Sequence, residues 1–252
     1  MATQLAQPRG EEESVRMARR ELAAAYRLAA HFGWDDQIAT HFSARLHDGT
    51  FLLNPLGLLF EEITASSLIR VDMDGNVLDP PGDRMNKAAF TIHSAVLAAR
   101  PDVNCVMHLH THDGAAVSAL EEGLMPLNQS TLIVHQDIAY HDFEGIADDL
   151  EERERLQRDL GGKNLMILRN HGTLAAGESI GAAFYRMYFL EWACTTQVRT
   201  LSMGKPLRIP AQSVRDHVAQ QAATLFSART TGIAYWPAMM RKAERLFPGF
   251  DA

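Results

Sequence analysis

The chain has 252 residues, 46% hydrophobic and 22% charged, which is typical of globular proteins. Its formal net charge of −7 argues against nucleic acid as the main partner, because nucleic-acid-binding domains usually carry a basic surface. No apolar run approaches the roughly 20 residues that span a bilayer, and residues 1–13 lack the features of a signal peptide. We therefore expect a cytoplasmic protein with no membrane partner, whose two cysteines, Cys105 and Cys194, are buried thiols.

Apolar spacing and turn signals predict the elements of the first half of the chain. Residues 1–12 are polar and are expected to be disordered. Asp-Gly pairs predict two hairpins, and Gly33 and Pro101 mark the ends of two helices. The predicted elements are a helix over 12–31, strands over 37–46 and 50–55, a hairpin with strands over 69–73 and 77–78, and a helix over 86–99.

The second half is predicted to alternate between short strands and helices. The apolar run 179–202, which has no proline and ends before Gly204, is expected to be a buried helix. The other predicted elements are strands over 103–110, 165–168 and 173–175 and helices over 113–121, 211–228 and 235–246. No linker or repeat divides the chain, so we expect one α/β domain over residues 13–252.

Histidines carry the strongest chemical signal in the sequence. His108 and His110 lie two residues apart in a predicted strand, so their side chains project from the same face. Imidazole is the commonest metal ligand, so this pair favours a metal site over two hydrogen-bonded core residues. The best candidate for a third ligand is His171, which follows an apolar strand and precedes Gly172. Three histidines with an open fourth position are typical of catalytic zinc.

Other candidate residues are less specific. Three roles are open for His112: a surface residue, a hydrogen-bond partner of a metal ligand, or an acid/base group. Arg169 either binds an anionic substrate or forms a structural salt bridge. We expect packing, boundary or solvated roles for the remaining histidines considered, which are His93, His135, His141 and His217. Neither a nucleophile motif nor a nucleotide-binding glycine loop is present.

Five stretches of the sequence resemble the class II aldolase/adducin family, and within it the adducin-head-like subgroup. The resemblance extends over residues 20–240 or so. The matching stretches are Asn54-Pro-Leu-Gly-Leu-Leu-Phe60, Ile63-Thr-Ala-Ser-Ser-Leu68, the segment from His93-Ser-Ala to Ala99-Arg-Pro-Asp-Val103, Val106-Met-His-Leu-His110 and Arg169-Asn-His-Gly172.

The resemblance implies a three-layer α/β/α fold with a central, mainly antiparallel sheet, assembled as a homotetramer. It also implies that His108, His110 and His171 bind zinc, which polarises a small hydroxy-carbonyl substrate and stabilises the enediolate formed when a carbon–carbon bond breaks. Manganese, iron, cobalt or nickel are alternatives to zinc at such a site.

The sequence departs from the family pattern in the substrate pocket. The acid/base glutamate of the aldolases falls on Ala89, and two phosphate-binding serines fall on Lys87 and Ala88. A phosphate-binding threonine falls on Leu56 and an asparagine on His41, whereas Gly57 is retained; the substrate-binding candidates are therefore His41, Gly57 and Lys87. His41, His112 or Lys87 are alternatives for the missing acid/base group, which leaves the catalytic residue unassigned.

Two hypotheses about function follow, because the three histidines match the family pattern whereas the substrate pocket departs from it. The first is a metal-dependent carbon–carbon lyase acting on a small hydroxy-carbonyl or hydroxy-acid. Decarboxylation suits the loss of the glutamate better than aldol cleavage does, because loss of CO₂ needs no base to deprotonate a hydroxyl. The second is a non-catalytic, adducin-like oligomeric scaffold that binds other proteins.

Overall fold

Two Asp-Gly hairpins form one half of the sheet of the protein. The computed structural model describes residues 9–82, 85–146 and 149–252. Eight strands form one sheet in the order β4-β3-β2-β1-β5-β8-β7-β6, and all neighbours are antiparallel except β6 and β7, which are parallel. The strands are β1 (His41–Arg45), β2 (Phe51–Leu53), β3 (Ile69–Val71), β4 (Val77–Asp79), β5 (Cys105–Leu109), β6 (Ile138–His141), β7 (Leu165–Leu168) and β8 (Gly172–Gly177).

Helices cover both faces of this sheet. A short 3₁₀ turn (Phe60–Glu62) follows β2, and a π-helical stretch (Thr230–Tyr235) precedes the last helix. The helices are α1 (Arg9–His31), α2 (Lys87–Ala99), α3 (His112–Ser118), α4 (Gln129–His135), α5 (Glu152–Leu160), α6 (Ile180–Ser202), α7 (Gln212–Leu225) and α8 (Trp236–Leu246).

Successive side chains of β5 point to opposite faces of the sheet, which divides the apolar core into two layers. Cys105, Met107 and Leu109 belong to the larger apolar cluster, which also includes buried residues of α1, α6 and α8. Val106 belongs to the smaller cluster, to which α2 and α5 contribute. The sheet therefore lies between two helical layers, which confirms the predicted three-layer α/β/α fold with a mainly antiparallel sheet.

Most elements predicted from spacing are present with shifted ends, but the segment from Gln129 to Leu160 had no prediction. It contains α4, β6 and α5. β6 is an edge strand of only four residues, which is too short to show a clear alternation. α5 buries only Glu152, Leu156 and Leu160, so it contains too few apolar residues for a clear helical period. The expectation of disorder over residues 1–12 falls mostly outside the described residues, and α1 begins at Arg9.

Two further expectations can be compared with the structure. Cys105 and Cys194 are both buried and free, as predicted. No helix in the described ranges has the length and apolar character that a bilayer span requires.

A buried tyrosine joins α1 to the central strands. The Tyr26 hydroxyl accepts a hydrogen bond from the Phe42 N–H at 2.7 Å, and it can donate to the Phe42 carbonyl or the Asn54 side-chain oxygen at 2.6 and 2.7 Å. We expect Tyr26→Phe to lower the free energy of unfolding by about 1–3 kcal/mol, because it leaves the Phe42 N–H buried without a partner. Denaturant unfolding measures this change.

A second tyrosine provides the control for that substitution. The Tyr188 hydroxyl makes no hydrogen bond within the described residues, and its ring is only partly buried. Tyr188→Phe should therefore change the free energy of unfolding by less than about 0.5 kcal/mol. Equal losses from the two substitutions would contradict the role assigned to the Tyr26 hydroxyl.

Candidate metal centre

One end of the β5–β8 ladder brings three histidines together. His108 lies near the end of β5, opposite His41 of β1 and Leu174 of β8. His110 follows β5 directly, and His171 lies in the turn between β7 and β8, where Asn170 adopts a positive φ of 56°. Strand pairing therefore places His171 beside His108 although 63 residues separate them.

The Nε2 atoms of these histidines converge. Nε2 of His108 lies 2.8 Å from that of His110 and 3.3 Å from that of His171, and the latter two are 2.9 Å apart. His108 is buried and the other two are partly exposed. The cluster is therefore open on one side, which is the arrangement that a catalytic metal needs.

The opposite ring nitrogens show that this donor set suits a cation. Nδ1 of His108 lies 3.0 Å from the carbonyl oxygen of Thr173, and Nδ1 of His110 lies 3.1 Å from the carboxylate of Asp36. Both partners only accept hydrogen bonds, so each Nδ1 carries the proton of its neutral ring. The two Nε2 lone pairs then face each other at 2.8 Å with no proton between them. A metal ion at this point would remove their repulsion.

Burial keeps the rings of His108 and His171 in the neutral form that binds metals. Burial, together with smaller contributions from the nearby His110 and His141, lowers the pKa of His171 to about 4. Burial also holds the pKa of His108 well below its ordinary value, with further lowering from neighbouring histidines. Protons therefore compete weakly with a cation at these nitrogens near neutral pH.

A buried carboxyl group supports the two loops that carry ligand candidates. Glu191 of α6 accepts hydrogen bonds from the hydroxyls of Thr111 and Thr173, the latter at 2.5 Å. Thr111 follows His110, and Thr173 lies two residues after His171. Glu191 was not among the predicted site residues, although an acidic residue within the apolar run 179–202 is a visible signal in the sequence.

Burial raises the pKa of Glu191 to about 7, against the hydrogen bonds from Thr111 and Thr173, which lower it. Because this pKa lies above that of the unfolded chain, the native protein should lose stability as pH rises between the two values. Glu191→Gln removes this loss. We expect the unfolding free energy of the variant, relative to the native protein, to increase by about 2 kcal/mol from pH 5 to pH 8. Denaturant unfolding with a chelator present tests this, and a difference that is independent of pH would contradict it.

The substrate-binding candidates are not equally close to the histidines. The His41 ring lies 5.0 Å from that of His108, centroid to centroid. Gly57 is in an exposed loop with a φ of 110°, and Lys87 is exposed in the first turn of α2. No interaction within the described residues joins Gly57 or Lys87 to the three histidines, so their role in binding stays a prediction.

The structure also places two other candidate residues, Arg169 and His112. Arg169 donates to the carbonyl oxygens of Leu120 and Glu121 and lies 4.4 Å from the centre of the Tyr140 ring. These contacts are not the predicted salt bridge, and binding of an anionic substrate by Arg169 stays a prediction. His112 is exposed at the start of α3.

Two histidines expected to have peripheral or simple packing roles belong to buried polar clusters. His141 is buried with Asp159 at 2.8 Å and Glu152 at 3.3 Å, so a solvated or boundary role is wrong for it. His93 is fully buried and lies 2.8 Å from the ring of His41. Neither partnership has a sequence signal, because both join residues from different elements.

A cavity of about 470 Å³ is lined in part by Asn170, the residue that precedes His171. Its lining includes Asp142, Phe143, Arg169 and Asn170, and the Phe143 ring lies 6.4 Å from that of His171. The cavity is large enough for a small molecule.

Comparison with known proteins gives a consistent result. Residues 20–198 match the family model "Class II Aldolase and Adducin N-terminal domain". A Caulobacter vibrioides protein whose name places it with class 2 aldolases is 50% identical over 241 residues, which cover 94% of this chain and 93% of that protein. Alpha-adducin of Mus musculus is 46% identical over 201 residues, which cover 77% of this chain but 27% of adducin. The structure of L-fuculose 1-phosphate aldolase from Glaciozyma antarctica PI12 superposes with a TM-score of 0.81 at 27% identity, covering 97% of this chain and 95% of that one.

Proposed function

Because the chain belongs to the family of class II aldolase and adducin N-terminal domains, we propose that it is a metal-dependent carbon–carbon lyase. Its substrate would be a small hydroxy-carbonyl or hydroxy-acid. The observation that carries this proposal is the convergence of the Nε2 atoms of three histidines. In two of these rings, His108 and His110, the proton-bearing Nδ1 atom is already paired with a hydrogen-bond acceptor. A scaffold has no need for such an arrangement.

We propose that His108, His110 and His171 hold the metal. Zinc is the first choice for three imidazoles and an open position, and manganese, iron, cobalt or nickel are alternatives. When bound, the cation would supply Lewis-acid stabilisation of negative charge that develops on a substrate oxygen. Asp36 and the carbonyl of Thr173 orient two of the rings through their Nδ1 atoms.

We further propose decarboxylation as the first reaction to test. Ala89 is fully buried in α2 and cannot transfer a proton, which weakens the case for aldol cleavage that begins at a hydroxyl. His41, Gly57 and Lys87 are the proposed substrate-binding residues. Lys87, exposed at the start of α2, has the charge to attract a carboxylate.

Assembly and location complete the proposal. We propose a homotetramer in the cytoplasm, with a small molecule rather than nucleic acid or membrane as the partner. Exposed apolar side chains such as Trp192, Met203 and Ile233, which are 50%, 63% and 74% exposed, support contact with further copies of the chain.

A non-catalytic scaffold is the second candidate. The likeness to alpha-adducin and the alanine at position 89 favour it. It predicts that the histidines can be replaced without loss of any function, since the binding surface would lie elsewhere.

Metal exchange and substrate screening distinguish the two candidates. The protein is purified without a histidine tag, stripped with a chelator and reloaded with zinc, manganese or cobalt. We expect about one metal ion per chain, and metal-dependent CO₂ release or retro-aldol cleavage from one member of a panel of hydroxy-acids and hydroxy-carbonyls. A folded native protein that retains no metal, or partner binding that persists without it, would favour the scaffold.

A further inference from the structure

Alternate residues of β1 place two polar side chains under α2. Phe42 and Ala44 face the larger apolar cluster, so His41 and Ser43 face the opposite side of the sheet. Both are buried, and so is His93, which α2 supplies from above. Three buried polar side chains from two elements therefore meet beside the candidate metal centre.

These side chains form a continuous hydrogen-bond chain. The Ser43 hydroxyl lies 2.5 Å from Nδ1 of His93. Nε2 of the same ring lies 2.8 Å from Nδ1 of His41. Burial lowers the pKa of His93 to about 3, so its ring is neutral and carries a single proton.

The serine determines the direction of this chain. Within the described residues, Ser43 Oγ has no hydrogen-bond partner except Nδ1 of His93. The buried hydroxyl can use its proton only by donating to that nitrogen, because an unused donor costs free energy. The proton of His93 is then on Nε2, and it is donated to Nδ1 of His41.

The same reasoning assigns the proton on His41. With Nδ1 accepting from His93, a neutral His41 ring carries its proton on Nε2. No hydrogen bond from this atom to another side chain is present within the described residues, and the ring otherwise interacts with the backbone of His41 itself. The His41 ring lies against that of His108, with the two ring planes inclined by 36°. An N–H donor is therefore available at the edge of the three-histidine cluster.

We propose that Ser43 and His93 are positioning residues, which fix His41 as an Nε2–H donor to an oxygen of the ligand bound at the three histidines. The ligand class is a small molecule with a carboxylate or hydroxy-carbonyl group, because such an oxygen would accept this hydrogen bond beside a cation. This inference deepens the proposed function and rests on it. The hydrogen-bond chain itself does not depend on a metal.

The first experiment tests the chain in metal-free protein. Nitrogen-15 NMR of histidine-labelled protein reports which ring nitrogen carries each proton, and His41→Gln and His93→Gln assign the signals. We expect both rings to carry their proton on Nε2, and Ser43→Ala to produce a mixture of tautomers at His93 and His41. A proton on Nδ1 of His41, or tautomers unaffected by Ser43→Ala, would overturn the inference.

The second experiment tests the donor in zinc-loaded protein with glycolate as the probe, by calorimetry. We expect Ser43→Ala and His93→Leu to weaken glycolate binding about tenfold with zinc content unchanged. His93→Gln should recover part of the affinity, because its amide N–H can donate to His41. Ser94→Ala is the matched control, since Ser94 is equally buried and its side chain bonds, among the residues that the structure describes, only to the Thr91 carbonyl of α2.

The outcomes of the two experiments are separable. Equal glycolate affinity in all the variants, or no binding to the zinc-loaded native protein, would overturn the donor role of His41. Failure to load zinc at all would overturn the proposed function, and the NMR result would still decide whether the chain exists.

Discussion

His110→Ala is expected to lower the zinc affinity of the protein by more than about 100-fold. Loss of one imidazole leaves two ligand candidates, one of them the buried His108, and removing a ligand should cost more than the 10–100-fold typical of removing a partner of a ligand. Competition with a chromophoric chelator measures the affinity, and elemental analysis measures the metal content. We expect the same loss from His171→Ala.

Two matched variants make this result specific. His112→Ala removes an exposed imidazole two residues away and should leave zinc affinity unchanged. Asp36→Asn keeps all three imidazoles but weakens the hydrogen bond to Nδ1 of His110, so its loss of affinity should be intermediate, about 10–100-fold. Unchanged affinity in His110→Ala, or an equal loss in His112→Ala, would contradict the assignment of the site.

Gly172→Ala is expected to destabilise the protein and to lower metal affinity together. A Cβ at position 172 would lie 2.2 Å from the carbonyl oxygen of Leu109 and 3.1 Å from Cδ2 of His110. The first contact is with backbone, which cannot rotate away, so β8 and β5 must separate at the point where they hold His171 and His110. We expect a loss of about 3 kcal/mol in the free energy of unfolding.

The measurement is denaturant unfolding of metal-free protein, followed by zinc titration of the folded variant. Gly162→Ala is the control, because its Cβ would meet nothing within 4 Å and its φ is not in the left-handed region. The control should change stability by less than about 0.5 kcal/mol. A Gly172→Ala protein with native stability and native zinc affinity would show that the two strands are not held as closely as the structure indicates.

His110→Ala and Gly172→Ala distinguish an effect on metal affinity from an effect on the stability of the fold. Removing partly exposed His110 should affect metal binding much more than folding, whereas Gly172→Ala should affect both. Glu191→Gln provides a third pattern, in which the effect on stability depends on pH. The three results therefore test three different parts of the site, namely the ligand candidates, the close packing of β5 and β8, and the buried carboxyl group.

The sequence by itself determined the local features of this protein. Asp-Gly pairs predicted both hairpins, apolar spacing predicted the long helices, and the spacing of His108 and His110 placed two imidazoles on one face. These features depend on neighbours along the chain, which is why a pattern in the sequence reveals them.

Only the tertiary structure decided which distant groups meet. Pairing of β8 with β5 brings His171 to His108 and His110, packing of α6 places Glu191 beneath Thr111 and Thr173, and packing of α2 places His93 between Ser43 and His41. A contact between separate elements leaves no periodic signal in either of them. The edge strand β6 and the largely polar helix α5 were missed for a related reason, since they owe their conformation to packing against neighbours more than to apolar periodicity of their own.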